Sequence, residues 1–271
     1  MLRLEHLDAV LAEDILTSDH PSEFIDGGDY SLLILRLPKV ERLSVEVHSY
    51  PFVITNEGDI YRYIHENAAF EPIDSLDAVN KFIDKRLERL IVDMQHYHYE
   101  IDRLEAQLYD ANLPKSFMQQ WLGYKKEVSL INRLMFHSLL AYELFSKTFI
   151  KDDDSRLSFN DVKEHIDRIE RLSRAAKEKL DDLYDFYRAK VDERMNKNMY
   201  YLTLISGIFL PLSLITGFFG MNSGGLPYTD DANGTIKVVV IALALEALFI
   251  TPFLLFSRTK STRFRPGRRE R

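Results

Sequence analysis

The sequence predicts an α+β membrane protein: an N-terminal α/β cytoplasmic domain, a long coiled-coil-like stalk helix and two C-terminal transmembrane helices, assembled as a homo-oligomer. Three observations predict this class. Short β-rich runs between residues 28 and 64 give way to helical periodicity from Ser75 onward. One helical pattern then continues without an evident stop from about Ser158 to Gly220. Two apolar runs close the chain: residues 199–219 carry no charge, and Val238–Phe256 carries only Glu246.

The β signal comes first. Tyr30–Leu37, Leu43–Ser49, Phe52–Thr55 and Asp59–Ile64 are rich in Val, Ile, Leu and Tyr, and Pro38, Pro51 and Asn56-Glu57-Gly58 punctuate them. Alternation over Ser44–His48 suits a sheet with one wet face. Residues 1–24 add a helix or a further strand.

From Ser75, a natural N-cap with Asp77 in the first turn, apolar residues follow helical spacing through Leu108. Asn112-Leu113-Pro114 reads as a turn. A second helix runs from about Ser116 to Phe149, and Lys151–Ser155 reads as a polar break. A third begins near Ser158, where Ser158-Phe-Asn-Asp161 resembles a capping box with Asp replacing Glu. Ile166, Ile169, Ala176, Leu180, Leu183 and Tyr187 keep the 3,4 spacing of a coiled coil. Unbroken to Phe219, this helix has about 62 residues and a length of roughly 93 Å. Such a helix cannot bury itself alone, which implies packing against copies of itself.

A run of 21 uncharged residues, 199–219, is enough to cross a hydrocarbon core about 30 Å thick. Neither apolar run is a signal peptide, since both lie near the C-terminus. The tail Arg258–Arg271 has seven Lys/Arg and one acid, whereas Gly220–Thr235 has two aspartates and no Lys or Arg. Basic flanks stay in the cytoplasm, so both termini are expected there, the acidic loop outside and the protein multi-pass in the plasma membrane, of bacterial inner-membrane type. The basic tail points to lipid or topology rather than nucleic acid. Without cysteine, disulfides and thiolate metal sites are excluded. No P-loop, Gly-rich phosphate motif or nucleophile elbow is present, so an enzyme is not expected.

Seven residues advance a helix by about 700°, nearly two turns. Counting down by sevens from Gly220 gives Ser213, Ser206, Met199, Asp192 and Asp185. This stripe is small and hydroxylated at membrane depth and acidic below. It lines a pore in a ring of parallel helices, or else marks a close helix–helix contact, where small residues are favoured. Pro211 leaves the Gly207 carbonyl without its usual donor, so a kink or hydrated carbonyl is expected. Bringing Asn222 to the same side as Ser213 requires the helix to unwind near Gly220, which glycine permits. A ring of Asn222 amides would then offer neutral oxygens to a hard, hydrated cation.

The stretch Phe209-Leu-Pro-Leu-Ser-Leu-Ile-Thr-Gly-Phe-Phe-Gly220-Met221-Asn222 resembles the signature of the CorA family of divalent-cation channels and transporters. The layout of the whole chain is similar too. The resemblance implies a homopentamer with a funnel-shaped cytoplasmic domain and a selectivity filter at Gly220, Met221 and Asn222. It implies a hydroxyl ring at Ser213, where threonine is usual, and a hydrophobic constriction at Leu210, Leu202 and Met199. It also implies an aspartate ring at Asp185 and an inter-subunit regulatory cation site at Asp161. After Asn222 the chain reads Ser223-Gly-Gly-Leu-Pro227, which looks more like the ZntB branch, associated with zinc. No cofactor is implied beyond transported or regulatory divalent ions, Mg2+ or Zn2+.

The expected segments are an α/β subdomain (1–72), a helical hairpin (73–157), the stalk (158–198), a pore-lining span (199–219), an outer loop (220–236), a second span (237–257) and a basic tail (258–271). Glu246 lies near the centre of the second span, where a carboxylate is costly. It either hydrogen-bonds Ser or Thr on the first span or serves proton coupling or gating. His96 and His98, two apart on a helix, do not share a face and are not expected to form a metal pair. Trp121 is expected in the core or at the hairpin tip. Within this class a proton-coupled zinc importer is the alternative. From another class, a non-conducting membrane-anchored scaffold predicts no flux and tolerance of Asn222→Ala.

Overall fold

The computed structural model describes residues 4, 7–17, 20–42, 44–109, 114–150, 153–221, 227–228 and 232–260. Asn222, the loop residues 223–226, the turn residues Asn112 and Leu113, and the tail beyond Lys260 lie outside them. The chain divides into two units, residues 1–187 and 188–271.

In the first unit, helix α1 (Ala9–Leu16) precedes five antiparallel strands in sequential order: β1 (Glu23–Asp26), β2 (Tyr30–Glu41), β3 (Ser44–Thr55), β4 (Ile60–Ile64) and β5 (Ala69–Ile73). Neither proline ends a strand, contrary to the sequence expectation. Both β2 and β3 have twelve residues and stay in register from Tyr30↔Thr55 to Glu41↔Ser44, with Pro38↔Val47 and Ile34↔Pro51 as pairs within the ladder. The reason is local. β1 covers only Ser31–Ile34 and β4 only Phe52–Ile54, so Pro38 and Pro51 lie beyond those ladders, with one strand edge open beside each.

The single wet face is also corrected. Successive side chains of β2 feed two different cores. Leu33, Leu35 and Leu37 join the large core with the helices, while Leu32 and Ile34 join Leu7, Ile15, Val53, Tyr63 and Phe70 on the opposite face. Arg36, 1% exposed, points into this second side. Its Nη2 donates to the carbonyls of Asp14 (3.3 Å) and Thr17, so a guanidinium satisfies the C-terminal end of α1.

Helices α2 (Leu76–Tyr109) and α3 (Phe117–Phe149) follow. Ser75 caps α2 as expected, its Oγ accepting from Ala78 N at 3.2 Å. Helix α4 then runs from Asp153 to Phe219, 67 residues. It starts five residues before Ser158, so Asp153–Ser155 is not a break and Ser158 is not a cap. Acidic residues are favoured in a first helical turn, so polarity alone does not end a helix. Ser158 Oγ instead accepts from Asn80 Nδ2 at 3.1 Å, across to α2.

The coiled-coil stripe is corrected as well. Ile166, Ile169, Ala176, Leu180 and Leu183 are buried in the chain's own core with residues of α2 and α3. Helix α4 therefore forms the third member of a helical layer on one face of the sheet, and this stripe is no evidence for copies. Trp121 secures the layer, donating from Nε1 to Leu180 O at 2.7 Å and stacking on Tyr184 at 4.9 Å. Phe117 stacks on Tyr187 at 5.0 Å. His98 meets the Leu172 carbonyl at 3.1 Å, and His96 is exposed.

The second unit holds the rest of α4 and helix α5 (Gly234–Lys260). Among the described residues one helix, over 156–219, is long and apolar enough to cross a membrane, with mean hydropathy 2.0 in its apolar window, none of it buried in the chain. On α5 the covered positions among those described are Gly234, Val238, Ala242 and Glu246, four apart on one face. On the apolar end of α4 they are Leu204, Ser206, Ile208, Pro211, Leu212, Ile215 and Phe219, all but Ser206 on one face. These are the least exposed positions of α5 and of the apolar end of α4 in the second unit.

Candidate functional site

Two sets of residues on α4 carry the candidate chemistry. The first is at its start. Asp84 on α2 and Asp161 and His165 on α4 place one ligand atom each within 4.8 Å of one another. His165 Nδ1 meets Asp84 Oδ1 at 2.6 Å. Asp161 and His165 share a face because they are four apart. They sit one residue before Val162 and Ile166, which are buried, so the core stripe turns the ligands to the rim. The helices are pinned here by a polar chain: Tyr142 OH donates to Asn80 Oδ1 at 2.7 Å, and Asn80 Nδ2 donates to Ser158. Lys163 pairs with Glu143 at 2.8 Å and holds its carboxyl below the usual range. Burial, with Asp84 and Asp161 nearby, pushes the Tyr142 phenol far above its ordinary value, so it stays a donor. Two carboxylates and an imidazole fit a borderline first-row ion such as Zn2+, Co2+ or Mn2+ better than Mg2+, which prefers all-oxygen shells. The sequence singles out Asp161 without a partner and does not single out Asp84 or His165, although the Asp161–His165 spacing is visible in it.

The second set is the lower stripe. Asp185, Asp192, Met199, Leu202, Leu210 and Ser213 are exposed and Ser206 is half-buried. Met199, Leu202 and Leu210 are 58, 66 and 68% exposed, high for large apolar side chains. At about 100° per residue, the part of the stripe from Met199 to Ser213 lies roughly 160° from the half-buried face of the same helix segment. The hydroxyls on α4 divide between two uses. Thr203 donates to Met199 O at 2.8 Å and Thr216 to Leu212 O at 2.9 Å, so both are consumed by their own helix. Ser206 and Ser213 have no such bond among the described residues, so their hydroxyls remain available. The helix runs through Pro211 without ending.

The helix stops at Phe219, with Gly220 N bonded to Thr216 O at 2.9 Å and Met221 exposed. Glycine is needed at 220 for space rather than for a left-handed backbone, since a Cβ there would meet Thr216 O at 2.9 Å. At Gly234 a Cβ would lie 1.8 Å from the Tyr228 carbonyl, so the loop closes tightly on the first turn of α5. Glu246 is 8% exposed and neither carboxylate oxygen has a hydrogen-bond partner, so the expected bond to Ser or Thr of α4 is absent among the described residues.

An antiparallel α/β domain whose fourth helix continues into a bare apolar span, with candidate ligand side chains at its start and free hydroxyls along its end, defines the class. The chain belongs to the CorA-like Mg2+ transporter protein family, whose description matches residues 2–258. It is 29% identical over 161 residues to the divalent cation transporter CmaX of Pseudomonas aeruginosa, covering 59% of this chain and 42% of that one. It is 40% identical over 67 residues to the zinc transport protein ZntB of Vibrio parahaemolyticus, 25% of this chain and 20% of that protein. The chain thus matches less than half the length of either relative. In fold it resembles the CorA magnesium transporter of Methanocaldococcus jannaschii, with TM-score 0.73 at 18% identity, covering 92% of this chain and 83% of that one.

Proposed function

We propose that copies of this chain form a pore that passes divalent cations, Mg2+ or Zn2+, across the plasma membrane. The observation that carries this reading is the stripe from Asp185 to Ser213. All of it but the half-buried Ser206 is exposed, and its serine hydroxyls have no hydrogen-bond partner among the described residues. In a parallel ring of α4 helices, a pentamer by family resemblance, that stripe faces the axis and α5 forms the lipid-facing outer layer. Leu210, Leu202 and Met199 form the apolar constriction, and Asp192 and Asp185 gather cations below it. Asn222 with Gly220 and Met221 forms the filter, its neutral amides holding a hydrated ion without trapping it. Both termini are cytoplasmic in this arrangement. A divalent ion entering down the membrane potential gains about 4.6 kcal/mol per 100 mV, twice the single-charge value, so no ATP is needed.

Asp84, Asp161 and His165 would hold a regulatory divalent ion, tying α2 to the start of the pore helix. Their oxygen and nitrogen lone pairs supply the coordination, and loss of the ion would leave two carboxylates facing each other.

The test is flux into proteoliposomes loaded with Mg2+- and Zn2+-sensitive dyes. Wild type should conduct and Asn222→Ala should not. Absence of flux in wild type supports a membrane-anchored scaffold instead, and equal flux in both removes Asn222 from the filter.

A second reading is favoured by Glu246, whose buried carboxyl lacks a partner. A carboxyl at that depth is a functional candidate by default, and proton-coupled import is the role it would serve. Glu246→Gln should then abolish the pH dependence of flux while leaving the protein folded. Unchanged pH dependence excludes this reading.

A further inference from the structure

We propose that the pocket between the end of β2 and α2 is a binding site for a small organic phosphate. The pocket has a volume of about 270 Å3, just below the usual range for small-molecule sites. Its floor is apolar: Leu37 and Leu90 are each 3% exposed. Tyr50 forms one wall, its ring 4.7 Å from the Arg86 guanidinium. The rim is cationic, with Lys39, Lys85, Arg86 and Arg89.

These four cations are not equivalent. Lys39 is tied to Glu41 at 2.6 Å. Arg86 lies over Phe82 and Tyr50 and donates to the Phe82 carbonyl at 2.8 Å. Lys85 and Arg89 make no hydrogen bond or ion pair among the described residues, although Arg89 acts at longer range on Asp93 and Glu41. They are four apart on α2 and therefore neighbours on one face, an arrangement in which like charges are destabilising. Asp93 is the sole acid among the described lining residues. An apolar floor beneath two unpaired cations suits a ligand with an apolar body and a doubly charged head. A phosphate monoester has both, and its oxygens accept from Lys and Arg together. Lys85 and Arg89 hold the phosphate, and Leu37, Leu90 and Tyr50 take the apolar portion. Lys85 directly follows Asp84 of the metal cluster, so an anion here acts on the same turn of α2.

The full-length protein in detergent, with EDTA present, is titrated calorimetrically with adenosine monophosphate, inorganic phosphate and dihexanoylphosphatidic acid. EDTA removes metal from the measurement, so the outcome is independent of ion transport. The nucleotide should bind saturably, once per chain, more tightly than inorganic phosphate because the floor contributes. Lys85→Gln and Arg89→Gln should each weaken it about tenfold, with no fall in melting temperature, since both side chains are exposed and each substitution removes a like-charge neighbour. Tighter binding of the phosphatidic acid than of the nucleotide would move the source to a lipid headgroup and overturn the soluble ligand. No saturable binding at millimolar ligand, or equal binding by the double variant, overturns the site.

Discussion

Replacing Asn80 with alanine should cost the first unit about 2 kcal/mol. Asn80 is 1% exposed and Tyr142 is fully buried. Alanine removes the Oδ1 that accepts the Tyr142 hydroxyl at 2.7 Å and the Nδ2 that donates to Ser158. Ser158 is half-buried, so water replaces its partner at little cost. Tyr142 has no such recourse, and with its pKa driven up by burial it cannot ionise either. An orphaned buried hydroxyl costs about 1–3 kcal/mol, which for a domain of this size is about 4–8 °C in Tm at about 2 kcal/mol. The assay is thermal unfolding of the full-length protein in detergent without added metal. Asn80→Ala carries lost packing as well, so the same substitution is made on a Tyr142→Phe background, where no hydroxyl is orphaned. There it should cost at least about 1 kcal/mol less. An equal cost in both backgrounds would refute the hydrogen-bond chain as the element that sets α4 against α2.

Three further outcomes are expected. A divalent ion at Asp84, Asp161 and His165 should stabilise the protein by about 2.7 kcal/mol at a hundredfold excess over Kd, and EDTA should remove that increment from wild type but find none in Asp161→Asn; a persisting EDTA effect in the variant would locate the ion elsewhere. Burial holds the Asp93 carboxyl above its ordinary value of 3.8, against the opposing pull of Arg89 and His96. With the folded pKa above the unfolded one, its ionisation opposes folding at neutral pH and ceases to do so below 3.8, so Asp93→Asn should raise Tm at pH 7 and leave it unchanged in acid. Gly234→Ala places a methyl 1.8 Å from the Tyr228 carbonyl, which neither backbone can accept in place, so protease cleavage between α4 and α5 should accelerate; Gly220→Ala, at 2.9 Å from Thr216 O, should act more mildly.

Periodicity and charge are local properties, and what depends on them was legible. The N-cap at Ser75, the helix from 117 to 149, the continuation of α4 to Phe219 and the charge-free span could all be read from spacing and composition, because each is decided within a few turns of chain. The stripe from Asp185 to Ser213 was legible for the same reason: a helix repeats nearly every seven residues, so a one-dimensional count fixes a face. What faces that stripe was not legible. The 3,4 pattern from Ile166 to Leu183 looked like a seam between copies and is instead buried by α2 and α3. An apolar stripe states that something covers it, never what, and the covering residues of α3 and α2 lie about 40 and 80 positions away. The prolines misled because the cost of a missing N–H depends on whether a neighbouring strand reaches it, which register decides. Only the tertiary structure could bring Asp84 within 2.6 Å of His165, since that contact joins two helices across the core. The sequence by itself determined the helices, the span and the residues that face together. The tertiary structure decided which faces are already satisfied within one chain, and left the lower stripe of α4 uncovered.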